Sequence, residues 1–287
     1  MDQNERHGQW DVVITPDQPW WRLDLREIWH YRDLLFLLVK RDITAQYKQT
    51  LLGPLWQVLQ PLLTSVMFAL IFGLMARMSV PGIPPLLFYM SGVVPWSFFS
   101  GVITRTSTTL SVNSGLMTKV YFPRLISPLA ATLSNMVGFL IQLTCFFCIA
   151  AYYHFSGTYP FNFAPELFWL PVLVLFQVML AFGIGLMVAA LTVRYKDLGF
   201  LIGFAVQLLM YMSPVIFPLS KAEVGSTTRD VIMANPMTPI IEGFRAALLG
   251  GPMDWSTLSY PVVFGGATLL LGLSMFQRAQ RKFADVI

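Results

Sequence analysis

Thiols three residues apart, clustered imidazoles and a glycine-rich phosphate cradle are the patterns that most directly announce chemistry in a chain. Cys145 and Cys148 have the C-x-x-C spacing of a metal or redox pair. They are the only cysteines, they sit inside an apolar run, and His7, His30 and His154 are scattered far from them and from one another. That arrangement gives neither a metal cage nor a disulfide framework. No Ser/His/Asp constellation stands out, and the chain holds no G-x-x-x-x-G-K-[ST] loop, so it does not bind ATP by that device. No catalytic residue, metal ligand or cofactor is expected in this chain.

The apolar stretches carry rings and uncharged polar groups instead. Tyr89, Trp96, Phe98 and Phe99 cluster in one, Phe139, Phe146 and Phe147 in another, and Gln57, Gln60, Asn135, Gln142, Gln177 and Gln207 are spread through the set. A sugar ring offers C–H faces that stack on aromatics and hydroxyls that pair with amides, so such groups can form a lining over which a glycan slides. Tyr89, Trp96, Phe99, Gln60 and Tyr211 are the candidates for that lining. Lipid-facing aromatics and amide bonds between helices account for the same residues equally well.

The elements that would position these groups follow from composition. The 287 residues are 55% hydrophobic and 12% charged, with a mean hydropathy of +0.61, whereas soluble domains carry roughly a quarter charged residues. A bilayer core about 30 Å thick needs roughly 20 apolar residues per helix. Six stretches qualify, at 55–76, 85–103, 128–153, 167–193, 200–218 and 258–276. The expected fold is all-α: a polytopic membrane protein with six transmembrane helices. It divides into a polar N-terminal segment, 1–54, and a transmembrane domain, 55–287.

Charge sets the orientation. The net charge is +4, yet the basic residues flank apolar segments instead of forming one patch, which points to lipid head groups and away from nucleic acid. With the N-terminus in the cytoplasm, only Arg77, Lys221, Arg229 and Arg245 of the 19 Lys and Arg residues fall outside. The excess of positive charge inside places both termini in the cytoplasm. A bacterial inner membrane fits. The longest clean apolar stretch before the first span, 34–39, is too short for a signal peptide, so the N-terminus is expected to be retained.

None of the six stretches contains Asp, Glu, Lys or Arg. Ion-coupled transporters and proton pumps keep ionisable groups in the membrane to carry the coupling charge, so energy must arrive from elsewhere. Four further patterns bear on how. Leu25, Ile28, Trp29, Leu35, Phe36, Val39, Ile43 and Tyr47 recur at helical spacing among charged residues. That describes an amphipathic helix, lying along the membrane surface or packed on its own domain. Residues 113–124 form a short, largely apolar segment bounded by Gly115 and Pro123 and carrying Lys119 and Arg124. Too short to span, it presents a knob for a soluble partner to grip or lies as a solvated loop. Ala181, Gly185 and Ala189 put small residues on one helix face, where another helix can approach. After Pro214 and Pro218, the stretch 219–257 is too polar to span yet contains the apolar run 239–249. Short re-entrant helices between the fifth and sixth spans, or an ordinary external loop, explain this.

Several segments resemble the permease subunits of ABC exporters for O-antigen, capsular and teichoic-acid polymers. They are Lys40-Arg41-Asp42 through Tyr47-Lys48, Leu52-Gly53-Pro54-Leu55-Trp56 to Gln60-Pro61, and Pro95-Trp96 with Phe98-Phe99. Lys119-Val120-Tyr121-Phe122-Pro123-Arg124, Arg194-Tyr195-Lys196-Asp197-Leu198, and Asn235-Pro236-Met237 with Arg245 continue the series in order along the chain. The resemblance implies two copies of this chain forming a channel, paired with two copies of an ABC ATPase subunit that holds ATP and magnesium. It implies a lipid-linked polysaccharide as cargo. It also implies that Asn113, Leu116, Lys119, Tyr121, Phe122, Pro123 and Arg124 belong to the coupling segment that meets the ATPase. The stretch before about Asp24, with Trp20 and Trp21, matches no motif. A small-molecule or drug exporter permease of the same architecture is the rival reading. A membrane enzyme of glycan assembly is a more distant one, since it would need an acidic catalytic cluster that the sequence does not offer.

Overall fold

The computed structural model describes residues 25–78, 80–117, 121–161, 165–195, 197–221 and 226–283. Among them there is no strand. Five helices are long and apolar enough to cross a membrane: Leu55–Met75, Pro85–Val112, Ile126–Phe155, Pro165–Thr192 and Trp255–Gln280. The chain is therefore a multi-pass membrane protein.

In order, α1 (Leu25–His30) and α2 (Arg32–Tyr47) precede α3 (Leu55–Phe68), which continues as a π-helical stretch, Ala69–Met75. Next come α4 (Pro85–Val112), the single turn α5 (Ser114–Met117) and α6 (Ile126–Phe155). A 3-10 turn at Pro165–Trp169 leads into α7 (Leu170–Thr192), followed by α8 (Leu198–Tyr211), α9 (Thr227–Met233), α10 (Met237–Leu249) and α11 (Trp255–Phe283).

The centre of the protein is α4. It starts at Pro85, where the missing N–H costs nothing, and it packs against α3, α6, α7 and α10. It also runs well beyond residue 103, where the second apolar stretch was expected to end. The polar run that follows is rich in Ser and Thr, whose hydroxyls fold back onto the helix: Ser107 Oγ donates to the Thr104 carbonyl and Thr109 Oγ1 to the Thr106 carbonyl, each at 2.8 Å. Arg105, expected in the flank beyond the span, consequently lies on the same continuous helix.

On α7 the small residues meet two neighbours. Ala181 and Ala189 are fully buried, and a Cβ added at Gly185 would stand 2.8 Å from Thr106 Cβ on α4. On the other flank a Cβ at Gly272 of α11 would lie 2.3 Å from the Gly183 carbonyl. Only hydrogen fits there. Such backbone-to-backbone contact maximises dispersion attraction, which must drive helix association where lipid is as apolar as leucine.

The fifth apolar stretch is shorter than expected. Instead of 200–218, α8 covers Leu198–Tyr211, 14 residues, or about 21 Å at 1.5 Å per residue, less than a hydrocarbon core. Pro214 and Pro218 lack the N–H groups that would continue it. Along α8 the one buried side chain is Val206, whereas Ser213, Val215 and Ile216 in the irregular segment beyond it are buried. The run 239–249 forms α10, buried over most of its surface and ended by Gly250 in the left-handed region at φ 77°.

Helix α2 lies across the start of α6. Its buried anchor is Leu38, 1% exposed, a residue outside the expected amphipathic stripe, while Trp29 and Phe36 from that stripe are exposed. Leu38 packs with Phe122, Ile126 and Ala130 in a small cluster of its own, apart from the main core.

Candidate functional site

Two regions gather polar and aromatic groups, one at each end of α4. At its C-terminal end, Asn113 caps the helix and is buried. Its amide nitrogen donates to the Thr109 carbonyl at 3.1 Å, and its amide oxygen accepts from Arg41 Nη2 of α2 at 2.8 Å. About two turns earlier along α4, Arg105 Nη2 donates to Gln46 Oε1, also at 2.8 Å. Two guanidinium bonds thus pin α2 to the end of α4.

The segment after Asn113 folds over the same ledge. Leu116 is half-buried against the Leu38 cluster, Phe122 is 5% exposed within it, and Pro123 turns the chain into α6. Tyr121 points the other way, 60% exposed. Burial of its phenol raises the pKa above the usual tyrosine value, with Glu27 and Tyr31 adding to the rise and Arg124 opposing it. Arg124 Nη1 donates to the Gln280 carbonyl of α11, and burial lowers its pKa. Lys119 lies outside the described residues, as does the stretch before Leu25. Of the expected coupling residues, the structure brings together Asn113, Leu116, Phe122, Pro123 and Arg124, with Tyr121 exposed beside them.

The expected lining residues part company. Tyr89, Trp96 and Phe99 are 0%, 4% and 1% exposed. The Tyr89 ring is edge-on to Phe88 and Phe68 at 5.2 and 6.2 Å, and Trp96 packs on Phe99 at 5.3 Å. These three rings are core side chains of the chain, their faces covered by neighbours. Gln60 on α3 and Tyr211 on α8 are exposed.

At the N-terminal end of α4 stands Arg245 of α10, a residue expected on the outer side within the stretch read as re-entrant helices or an external loop, and not expected to form a site. Its side chain is 6% exposed and forms an ion pair with Glu242 at 2.7 Å. The guanidinium carbon stands 4.1 Å from the centre of the Phe88 ring, and Nη2 donates to the Val215 carbonyl at 3.2 Å. A buried cation needs a carboxylate, an acceptor and a ring face, and Arg245 has all three. The clue available beforehand was the pair Glu242 and Arg245 three residues apart within an apolar run.

The sequence profile of the ABC-2 type transporter family matches residues 33–249, from the head of α2 to the end of α10. The chain belongs to the ABC-2 type transporter family. Within it the chain is 28% identical over 264 residues to the O-antigen export system permease protein RfbA of Myxococcus xanthus, covering 92% of this chain and 98% of the relative. It is 24% identical over 258 residues to the protein of the same name from Klebsiella pneumoniae, covering 89% and 95%. It is 23% identical over 249 residues to the polysialic acid transport protein KpsM of Escherichia coli, covering 85% and 92%. Both ends of α4 fall within the matched residues, so the ABC-2 type transporter core contains the ledge around Asn113 as well as the buried Arg245.

Proposed function

We infer that this chain is the membrane-spanning permease subunit of an ATP-driven exporter that moves a lipid-linked, O-antigen-like polysaccharide across a bacterial inner membrane. The observation that carries this reading is the end-to-end match to relatives named for O-antigen export and polysialic acid transport. As a permease it contributes a path instead of catalysis. Two copies of an ABC ATPase subunit bind ATP and magnesium, and two copies of this chain form the channel.

In this reading α8 and the buried segment after it together make the sixth crossing. Both termini are cytoplasmic, α2 lies at the inner membrane surface with Trp29 and Phe36 toward lipid head groups, and α9 and α10 dip back from the outer side. The ledge of Asn113, Leu116, Tyr121 and Phe122 receives the ATPase. The exposed faces of α3, with Trp56 and Gln60, and of α8, with Tyr211, supply the channel wall between protomers. Aromatic rings serve such a wall because they stack on sugars when the path is filled and on each other when it is empty, without fixed charges that are costly in a closed pore.

The test is export by the purified complex. The chain is reconstituted in vesicles with its ATPase partner and offered a diphosphate-lipid-linked glycan or, separately, fluorescent drugs. ATP-dependent transfer of the glycan to the far leaflet supports the reading. Drug transport without glycan transfer would assign the chain to the small-molecule branch.

A further inference from the structure

The interruption after α8 is not a slack loop. Ser213 Oγ donates to the Leu209 carbonyl at 2.8 Å and accepts from Asn235 Nδ2 at 2.7 Å, while Asn235 Oδ1 accepts the Met237 amide at 3.0 Å. Two residues further along, the Val215 carbonyl accepts from Arg245 Nη2 at 3.2 Å. Gly92 of α4 closes the group: a Cβ there would stand 3.2 Å from Arg245 Nη2 and 3.4 Å from Val215 Cα. Three elements meet at this point, namely α4 through Phe88 and Gly92, α10 through Glu242 and Arg245, and the α8 break through Ser213 and Val215. All the side chains that join them are buried except Glu242, which is 35% exposed.

The rest of α8 is the opposite. Phe200, Leu201, Phe204, Leu208 and Tyr211 are exposed, and a Cβ built at Gly199 or Gly203 would meet nothing within 4 Å. Beyond the junction the chain leaves α10 across a cavity of about 530 Å³, with Pro218, Leu219 and Ser220 on one wall and Thr238, Glu242 and Ala246 on another. Packing on that side therefore does not duplicate the polar ties. Along α8 one face packs on the core through apolar side chains alone, Ile202, Val206, Leu209 and Met210, contacts that allow a helix to tilt, whereas the directional polar ties are gathered at its end.

We propose that Asn235 and Arg245 are positioning residues that bolt the outer end of α8 to α4 and α10, so that α8 swings about that end while its Leu198 end moves. The proposal rests on the export reading only in calling the bolted end outer and the moving wall part of a channel. The bolt itself is a claim about distances within one protomer. Arginine is required because its fork reaches Glu242 and the Val215 carbonyl at once while its plane covers Phe88, a combination that a single ammonium cannot repeat.

The experiment uses the full chain in lipid nanodiscs with its two native cysteines replaced by alanine and spin labels on exposed sites. Pulsed electron resonance reads one pair at Phe155→Cys and Met212→Cys for the bolted end, and another at Val112→Cys and Phe200→Cys for the free end. Dilution with unlabelled chain keeps the distances within a protomer. The expected result is a narrow distance distribution for the first pair and a broad one for the second. Asn235→Ala and Arg245→Lys should at least double the width at the bolted end and leave the free end as it was. Equal widths at both ends of the unsubstituted protein, no change in the variants, or equal broadening at both ends would each overturn the proposal. If a variant fails to assemble, the comparison of the two ends in the unsubstituted protein decides alone. Expected distances with no glycan export would sink the export reading and leave the bolt standing.

Discussion

The Arg41 guanidinium donates to the Asn113 amide oxygen at 2.8 Å, a bond between residues 72 positions apart that joins α2 to the end of α4. It places the N-terminal helix and the segment 113–124 on one ledge, so a force on either is felt by both.

Asn113→Ala removes the acceptor and leaves the Arg41 guanidinium, among the described residues, with Asp42 at 2.7 Å. A hydrogen bond to a charged group contributes about 2 kcal/mol, enough to loosen the ledge without unfolding the protein. Glycan exported per phosphate released should fall several-fold, while ATP hydrolysis by the assembled complex continues. An unchanged ratio would remove Asn113 from the coupling path.

Tyr121 and Phe122 are neighbours with separate duties. Tyr121→Ala, at an exposed site, should weaken co-purification of the ATPase by about 2 kcal/mol, as loss of a central interface aromatic does, and leave the melting temperature unchanged. Phe122→Ala opens a hole in the Leu38 cluster and should destabilise the chain by about 3 kcal/mol. Thermal unfolding and affinity capture, run on both variants, check the division.

Gly272→Ala should be among the most damaging single-methyl substitutions in the chain, since its Cβ would lie 2.3 Å from the Gly183 carbonyl and force α7 and α11 apart. Overpacking of this kind costs about 1–3 kcal/mol. Gly266→Ala on the same helix serves as the control, because its Cβ would meet nothing nearer than Met179 Cε at 4.0 Å. Folded yield and thermal unfolding in detergent should separate the two.

Single cysteines at Gln60 and Tyr211 should react with water-soluble thiol reagents and become protected when export stalls on a polymer. Cysteines at Tyr89 and Trp96, whose parent side chains are 0% and 4% exposed, should stay unreactive in both states. The reverse pattern would return the channel wall to α4.

Much of this protein is determined by sequence alone, for a physical reason. Hydrocarbon admits only backbone that satisfies its own hydrogen bonds, so apolar runs of about 20 residues must be helices, and five of the six expected stretches are long helices at nearly the expected places. That the apolar residues Leu116 and Phe122 need cover was also legible, and both pack at the Leu38 cluster.

What the tertiary structure alone decided is which side of each membrane helix faces inward. In water a buried face announces itself by contrast with a polar one. In lipid both faces are apolar, so Trp96, which is buried, and Tyr211, which is exposed, look alike along the chain. The same blindness hid Leu38 as the anchor of α2. The burial of Arg245 was hidden for a different reason: Glu242 is its neighbour in sequence, but Phe88 and Val215 come from two other stretches. The local spacing hints at an ion pair, whereas the site that buries it exists only once those stretches meet.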